Sequence, residues 1–589
     1  MTEGPERESC PADPPHLAAP AARAGRALLL PCLALAAALA GCSGSGEYQR
    51  TVRAAIEQRL ERSGRFAVTG DDVRRLARRF YDDRGFRPAW VTSRGPTRDA
   101  HDMVEAIEAA PRNGLDPRRY GLDSLQATMK ALDAGLFGPA PDPERLAALD
   151  VRLTRAFLVL ASDLGTGAVN PKLLPPEWHL GARKLDPVVV LGQALERHRV
   201  RTVLEDLPPS DSRYTRLRDL LARYRAIEAQ GGWTPVPQGK LMRRGQRGDR
   251  VRALRARLTA SGDLAADARA KPVFDAATEE AVRRFQRRHG LDADGVVGGD
   301  DLAAMNVPVG RRVHQIELNL ERGRWRSQPL GERYVVVNIP DYSLQVIEDE
   351  RPVLSMRVVV GERFKQTPLF SDEITYLVLN PWWSLPPSII VNEILPAMAQ
   401  DDHYLEQHEI HVFDGPGPDA SELDAHTIHW KELTPEDFDA SDPKSRKIFL
   451  RQEPGTENPL GRIKFMCPNQ FDIYLHDTPA GHLFSAKERD FSHGCIRLEK
   501  PFDLAEYLLH GQVQSDHKEL LAALATSRDS TIRLPKPIPV HLVYWTAWVD
   551  EQGEAQFRDD VYAIDLALDM ALRDSGTIAW SATAWHGRR

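Results

Sequence analysis

The chain has 589 residues, enough for about three or four domains of roughly 150 residues each. Hydrophobic residues make up 42% and charged residues 27%, as in globular domains, and a net charge of -7 excludes a general nucleic-acid binder, which needs clustered positive charge. Five cysteines in this length exclude a fold that is held together by disulfide bonds.

Residues 1–41 are predicted to be a secretory signal. Arg23 and Arg26 precede an apolar run over 27–40, which is too short to span a bilayer but has the length of a signal-peptide core. Small residues lead from this run to Cys42, an arrangement that resembles a bacterial lipobox. The resemblance implies cleavage before Cys42, a lipid on its sulfur, and a periplasmic protein anchored to a membrane, with the outer membrane expected. The alternative is a plain signal peptide followed by a chance cysteine.

Residues 42–236 are predicted to form a helical domain. Apolar residues recur at three- and four-residue spacing over 73–80 and 146–160, and breakers such as Asn113-Gly114 separate the periodic segments. The region contains no residue spacing typical of catalysis, so we expect a structural scaffold.

Residues 237–308 carry an ordered set of landmarks. They are Phe-Asp at 274–275, Phe-Gln at 285–286 within a predicted helix that Thr278 is expected to cap, and Gly-Leu-x-x-Asp-Gly at 290–295. This order resembles the small three-helix peptidoglycan-binding module that accompanies cell-wall enzymes. The resemblance implies weak glycan binding or, alternatively, only support for neighbouring domains.

A predicted helical linker over 309–329 leads into a β-rich domain over 330–589. Runs of β-branched residues at 334–339 and 356–360 have the length and composition of strands. Residues 400–460 are polar and poor in strand patterns, and a long insertion of this kind is more often a functional lid than a connector. The chain is therefore predicted to be an α+β multidomain protein.

The β-rich domain contains a candidate catalytic cysteine, Cys495. A cysteine nucleophile needs a base and backbone donors for an oxyanion. His476 ends a predicted strand, Gly494 allows close backbone approach, and Arg497 is able to bind a carboxylate through two parallel hydrogen bonds. These residues alone point to an acyl transferase or a hydrolase.

The spacing around Cys495 is more specific. Fifteen residues separate His476 from Ser492, which opens the sequence Ser-His-Gly-Cys-Ile-Arg. This pattern resembles the signature of the L,D-transpeptidase (YkuD) family, and the order of helical domain, peptidoglycan-binding module and β-rich domain is similar to the large periplasmic branch of that family.

The resemblance implies a peptidoglycan L,D-transpeptidase that joins two tetrapeptide stems, one as donor and one as acceptor. Cys495 would attack the bond between the third stem residue and D-Ala, D-Ala would leave, and the thioester would pass to a second stem in a 3→3 cross-link. His476 would be the general base and acid, the backbone of Gly494 would help to hold the oxyanion, and His493 would support the loop, although either imidazole could lie within reach. The residues expected to contact substrate or line the cleft are Arg497, Ser492, Trp382, Trp383 and Tyr474. The alternatives are a solvated Arg497, a Ser492 that orients an imidazole, and aromatic residues that belong to the core.

Several alternatives stay open at this point. Water as acceptor would make the enzyme an L,D-carboxypeptidase, a lysine amine would attach a lipoprotein to the wall, and a silent wall-binding scaffold would need a broken motif. No metal or cofactor is expected, since the histidines near Cys495 lack a close ligand pair and the resembling family uses no metal. Cys467 is expected to be buried and free rather than bonded to Cys495. The resemblance also implies acylation by carbapenems, and association with other cell-wall synthases is a possible partnership.

Overall fold

The computed structural model describes residues 32–62, 68–134, 141–174, 183–266, 271–326, 330–417, 419–438, 448–510, 517–526 and 528–577. Residues 1–31 of the predicted signal segment 1–41, and the side chain of Cys42, lie outside the described residues. Among the helices of this described part, none combines the length and the apolar character that crossing a membrane requires.

The N-terminal domain is helical, as predicted. Its helices are α1 Cys32–Arg62, α2 Val68–Asp83, α3 Arg98–Ala109, α4 Leu122–Asp133, α5 Pro143–Thr166, α6 Pro187–Glu196, α7 Val200–Asp206 and α8 Ser212–Ala229, with a small hairpin, β1 Val91–Thr92 and β2 Gly95–Pro96, between α2 and α3. Its core includes the fully buried Asp150, which accepts hydrogen bonds from the Tyr81 hydroxyl (2.6 Å) and the Trp90 amide (2.7 Å). This carboxylate fixes the aromatic turn that joins α2 to the hairpin.

The second unit is the predicted three-helix module. Its helices are α9 Asp249–Ala260, α10 Ala276–Arg288 and α11 Gly299–Met305. The expectation that Thr278 caps the second helix is wrong, because α10 begins earlier and Asp275 caps it by accepting from the Thr278 amide at 2.9 Å.

The predicted linker is a packed helix, α12 Val309–Trp325. Its buried face shares one hydrophobic cluster with α8 and with the hairpin β16 Ala547–Val549 and β17 Ala555–Phe557. Arg322 of α12 also forms a buried ion pair with Asp565 (2.5 Å). The helix therefore joins the helical domain to the β-rich domain through a shared core.

The β-rich domain is built on a nine-stranded sheet. Its strands are β3 Arg333–Asn338, β4 Ser343–Glu348, β5 Arg351–Gly361, β6 Ser371–Leu379, β11 Ile463–Met466, β12 Leu475–His476, β13 Asp490–Ser492, β14 Ile496–Leu498 and β15 Ser530–Val543. They lie in the order β13-β5-β14-β12-β11-β6-β15-β3-β4, and β4 also pairs with β5, so the sheet closes on itself. Helices α16 Pro501–Leu509, α17 His517–Ala525 and α18 Ile564–Thr577 contribute to the core of this sheet.

The insertion has more structure than its sequence indicates. It contains β7 Trp383–Ser384, α13 Pro387–Ile389, a π-helical turn Ile390–Ile394, α14 Leu395–Met398, α15 Tyr404–Gln407, β8 Ile410–Phe413, β9 Glu422–Leu423 and β10 Phe449–Gln452. The strands form a separate sheet in the order β7-β10-β8-β9, over a hydrophobic cluster of its own that extends from Leu385 to Leu450. The expectation of a strand-poor segment that starts at residue 400 is therefore corrected.

Candidate active site

The candidate active site lies on one face of three neighbouring strands. Lys464 of β11 is the cross-strand partner of His476 of β12, and His476 is the partner of Arg497 of β14. Successive residues of a strand point to opposite faces. The intervening residues that pack into the core are Ile463, Phe465, Leu475, Ile496 and Leu498. The three polar side chains therefore form one row, and extending the register by one step places Tyr474 beside Cys495.

The His476 imidazole is buried and neutral. Its Nδ1 lies 2.6 Å from the main-chain oxygen of Asp477, to which it donates, so Nε2 carries the free lone pair. Burial, followed by the positive charges of Arg497 and Lys464, lowers the pKa of His476 to about 3. The ring is fixed in the tautomer that a proton acceptor requires.

The Cys495 thiol is partly buried and donates to the main-chain oxygen of Asp472 at 3.8 Å. Burial raises the pKa of this thiol, while hydrogen bonds from Tyr474 and the charges of Lys464 and Arg497 lower it. Within the described part of the chain, no hydrogen bond joins the sulfur to His476. Catalytic hydrogen bonds in free enzymes are often long and tighten when substrate binds.

Hydrogen bonds within the segment Ser492–Cys495, here called the nucleophile loop, engage two groups that have predicted roles. The Ser492 hydroxyl donates to the main-chain oxygen of Cys495 (2.6 Å) and accepts from the Gly494 amide (3.1 Å). Ser492 is buried and braces this loop, and its contact with substrate or with an imidazole stays a prediction. The Gly494 amide, expected as an oxyanion donor, is engaged by Ser492.

A second set of contacts, centred on Thr367, holds the nucleophile loop in place. The buried Thr367 hydroxyl donates to the Gly494 oxygen (2.7 Å) and accepts from the Gly361 amide (2.9 Å). The Tyr562 hydroxyl donates to the Gly361 oxygen at 2.5 Å. A Cβ at Gly361 would lie 2.2 Å from the Lys365 oxygen, so only glycine fits there without displacement of backbone.

His493 turns away from the sulfur toward the insertion. Its Nε2 lies 2.6 Å from Oε1 of Glu393, a residue of the π-helical turn. Lys365 lies 4.0 Å from the same carboxylate. His493 thus links the nucleophile loop to the insertion, and its supporting role in catalysis stays a prediction.

Arg497 is half-buried rather than solvated. Its Nε is buried and has no hydrogen-bond partner, and no carboxylate of the described residues lies within ion-pair distance. Burial lowers the pKa of this guanidinium. This half-buried guanidinium therefore has a donor available, and its binding of a substrate carboxylate stays a prediction.

The aromatic residues expected to line the cleft occupy two places. Tyr474 lies beside Cys495 in the strand register, and its ring centroid lies 5.6 Å from that of His476. The Trp382 ring packs edge-on against His411 at 5.8 Å, and Trp383 packs against the core of the insertion. A cleft-lining role for the two tryptophans stays a prediction.

Cys467 is buried and free, as predicted, and Cys495 is also free. Burial raises the pKa of Cys467 to about 12, which makes it a poor nucleophile. In the described residues, no group of three or more His, Cys, Asp or Glu side chains is placed to hold a metal ion.

Three residues around the site were not assigned a role from the sequence. Lys464 interrupts an apolar strand, and that interruption was a usable signal. Thr367 stands in a Gln-Thr-Pro segment that gives no indication of its contact with Gly494. Glu393 carries no local signal, because its partner is 100 positions away in the chain.

Comparisons with known proteins agree with this architecture. Residues 332–515 match the family model described as "L,D-transpeptidase catalytic domain", residues 247–305 match "Putative peptidoglycan binding domain", and residues 75–221 match "Scaffold domain". The matched ranges fall within the predicted units 330–589, 237–308 and 42–236.

A relative from Haemophilus influenzae, named "Putative L,D-transpeptidase", is 32% identical over 255 residues, or 43% of this chain. The chain spans about half, 49%, of that relative's length. An L,D-transpeptidase structure from Xylanimonas cellulosilytica is 17% identical, over 52% of this chain and 99% of that one, with a TM-score of 0.17. The chain thus combines a catalytic domain of the L,D-transpeptidase (YkuD) family with a peptidoglycan-binding domain and a scaffold domain.

Proposed function

We propose that this protein is a peptidoglycan L,D-transpeptidase, which forms 3→3 cross-links between tetrapeptide stems through a thioester on Cys495. The observation that carries the proposal is the placement of Cys495 on a doubly braced loop beside the row of Lys464, His476 and Arg497. A nucleophile, a neutral imidazole and a cation for a carboxylate are the groups that acyl transfer from a peptide requires.

The acylation step follows from this arrangement. The Cys495 proton passes to Nε2 of His476, and the sulfur bonds to the carbonyl carbon of the third stem residue. When the tetrahedral intermediate collapses, the C–N bond breaks and D-Ala leaves with the proton from His476. The amine of a second stem then attacks the thioester carbonyl, the C–S bond breaks as the new amide forms, and the amine's proton passes through His476 to the released sulfur.

Backbone donors stabilise the oxyanion in this mechanism. The Cys495 amide makes no hydrogen bond to another described residue, so it is the first donor. The Gly494 amide joins it once its 3.1 Å bond to Ser492 opens. Arg497 binds a free carboxylate of the donor stem and fixes the scissile bond relative to the sulfur.

Export and anchoring complete the proposal. The signal segment 1–41 and a lipid on Cys42 place the enzyme in the periplasm, on the outer membrane, where the peptidoglycan-binding module faces the wall. Other cell-wall synthases are the candidate partners there. The test is the intact mass and membrane fractionation of wild type and Cys42→Ser. A mature wild type without a lipid mass, or equal release of both proteins in soluble form, would refute the anchor.

The activity itself is tested with purified disaccharide-tetrapeptide muropeptides. The wild-type chain is expected to yield dimers joined through two third residues, together with free D-Ala, while Cys495→Ala yields neither. Tripeptides without dimers would instead establish a carboxypeptidase that uses water. Product formation only with a lysine-bearing lipoprotein would establish wall attachment, and no product from wild type would refute catalysis.

A further inference from the structure

Lys464 occupies an unusual place for a lysine. It lies on β11 in the row of the candidate active site, half-buried, with its Nζ 3.6 Å from the centre of the Tyr474 ring. No carboxylate of the described residues lies within ion-pair distance of its ammonium group. The charge is therefore held against an aromatic face in the interior of the site.

Tyr474 connects this cation to the nucleophile. The strand register places Tyr474 beside Cys495, and its main-chain oxygen accepts from the Ile496 amide at 3.1 Å, which fixes β12 against β14. Ammonium, ring and sulfur thus follow one another across three neighbouring chain segments.

The charged and titratable groups that face this array come from several elements. Lys464, Tyr474 and Arg497 lower the pKa of the Cys495 thiol. The groups that raise the pKa of Lys464, besides Cys495, are Asp472, Asp529 and Cys467. His476 is neutral and lies between two cations, so it supplies no positive charge to the sulfur of the free enzyme. In a partly buried site, forming a thiolate without a nearby positive charge costs free energy, and a fixed cation offsets that cost.

We propose that Lys464 is a positioning residue that stabilises the negative charge formed on Cys495, acting across the ring of Tyr474. The thiol proton moves to Nε2 of His476, the sulfur becomes anionic, and Lys464 keeps its own proton throughout. This inference rests on the proposed function only in taking Cys495 as the nucleophile.

The test measures the thiol directly. Full-length wild type, Lys464→Met and Lys464→Arg are treated with iodoacetamide across a pH series, and alkylation of the Cys495 peptide is followed by mass spectrometry. Lys172→Met, which removes an exposed scaffold lysine, is the matched control. Lys464→Met is expected to be alkylated about fivefold more slowly at neutral pH, because loss of an adjacent cation raises a thiol pKa. The midpoint of its rate–pH profile is expected to lie at higher pH for the same reason. Lys464→Arg and Lys172→Met are expected to behave like wild type.

An unchanged rate and midpoint in Lys464→Met would overturn the proposal. An equal slowing of the Met and Arg variants with an unchanged midpoint would also overturn it, because that result indicates a packing role. Alkylation requires no peptidoglycan, so its result does not depend on whether the protein is active in the muropeptide assay. A wild type without cross-linking activity but with a Lys464-dependent midpoint would refute the proposed function and leave this inference supported.

Discussion

His493 and Glu393 lie 2.6 Å apart through Nε2 and Oε1, and this contact joins the nucleophile loop to the π-helical turn of the insertion. The two partners belong to different hydrophobic units, because the insertion packs around its own core. The contact therefore links the insertion to the residue two positions before Cys495.

Glu393→Gln removes the charge from this contact. Both side chains are substantially exposed, so the free energy of unfolding is expected to change by less than about 1 kcal/mol. Hydrogen exchange over 387–398 should rise, and KM for the donor stem should increase about threefold, with a smaller change in kcat. Glu406→Gln is the matched control, since it breaks a similar contact with His403 within the insertion. Equal effects of both variants would contradict a specific role for Glu393.

Thr367→Val tests the hydrogen bonds through which the Thr367 hydroxyl holds the nucleophile loop. Valine has a similar shape but leaves the Gly361 amide and the Gly494 oxygen without their partner. We expect a loss of about 1–3 kcal/mol in unfolding free energy and at least about a tenfold lower kcat/KM, because Cys495 moves relative to the substrate. Thr367→Ser keeps the hydroxyl and should retain most activity. Wild-type kcat/KM in the valine variant would show that these hydrogen bonds are dispensable.

Arg497→Lys tests the predicted carboxylate site. Lysine keeps the charge but loses the planar pair of donors, so KM for the tetrapeptide stem should rise about tenfold or more. Arg462→Lys, at an exposed position before β11, is the control and should leave KM unchanged. A lysine variant with unaltered KM and kcat would remove Arg497 from substrate binding.

Buried histidines make the stability of the fold depend on pH. Burial lowers the pKa of His541 to about 4, while its ring donates to the Leu330 oxygen (2.9 Å) and accepts from Ser371 (2.7 Å). The His541 imidazole binds a proton below about pH 6.5 in the unfolded chain but only near pH 4 in the folded one. The folded state therefore has its full stability above pH 6.5 and loses stability as the pH falls toward 4. The contribution is about 3 kcal/mol over this interval.

His541→Gln should therefore flatten the fall in unfolding free energy between pH 6.5 and 4, as measured by urea titration at several pH values. His510→Gln, at an exposed position, is the control. The same slope in wild type and His541→Gln would contradict the assignment of a neutral, buried imidazole.

The general architecture was predictable because each unit leaves a local signal. Helical periodicity indicated the scaffold, ordered landmarks such as Gly290 and Asp294 indicated the module, and β-branched runs indicated the strands. The spacing of His476 and Cys495 likewise indicated the nucleophile and its base, because that pattern lies within a short window.

The parts that were not predicted depend on contacts between distant residues. The row of Lys464, His476 and Arg497 exists only once three strands pair in register. The strands of the insertion are short and embedded in polar sequence, so their alternation of apolar and polar residues is too brief to detect. The hydroxyl of Ser492 faces the loop because of local backbone geometry, which residue types alone do not determine.

The most direct test of the proposed mechanism is to trap the acyl-enzyme. Excess wild type is mixed with disaccharide-tetrapeptide, quenched in acid within one turnover, and digested. The account predicts that the peptide containing Cys495 carries the mass of a disaccharide-tripeptide as a thioester, cleavable by hydroxylamine, and that Cys495→Ala carries none. Release of D-Ala by wild type with no adduct on Cys495, or equal release by Cys495→Ala, would contradict it.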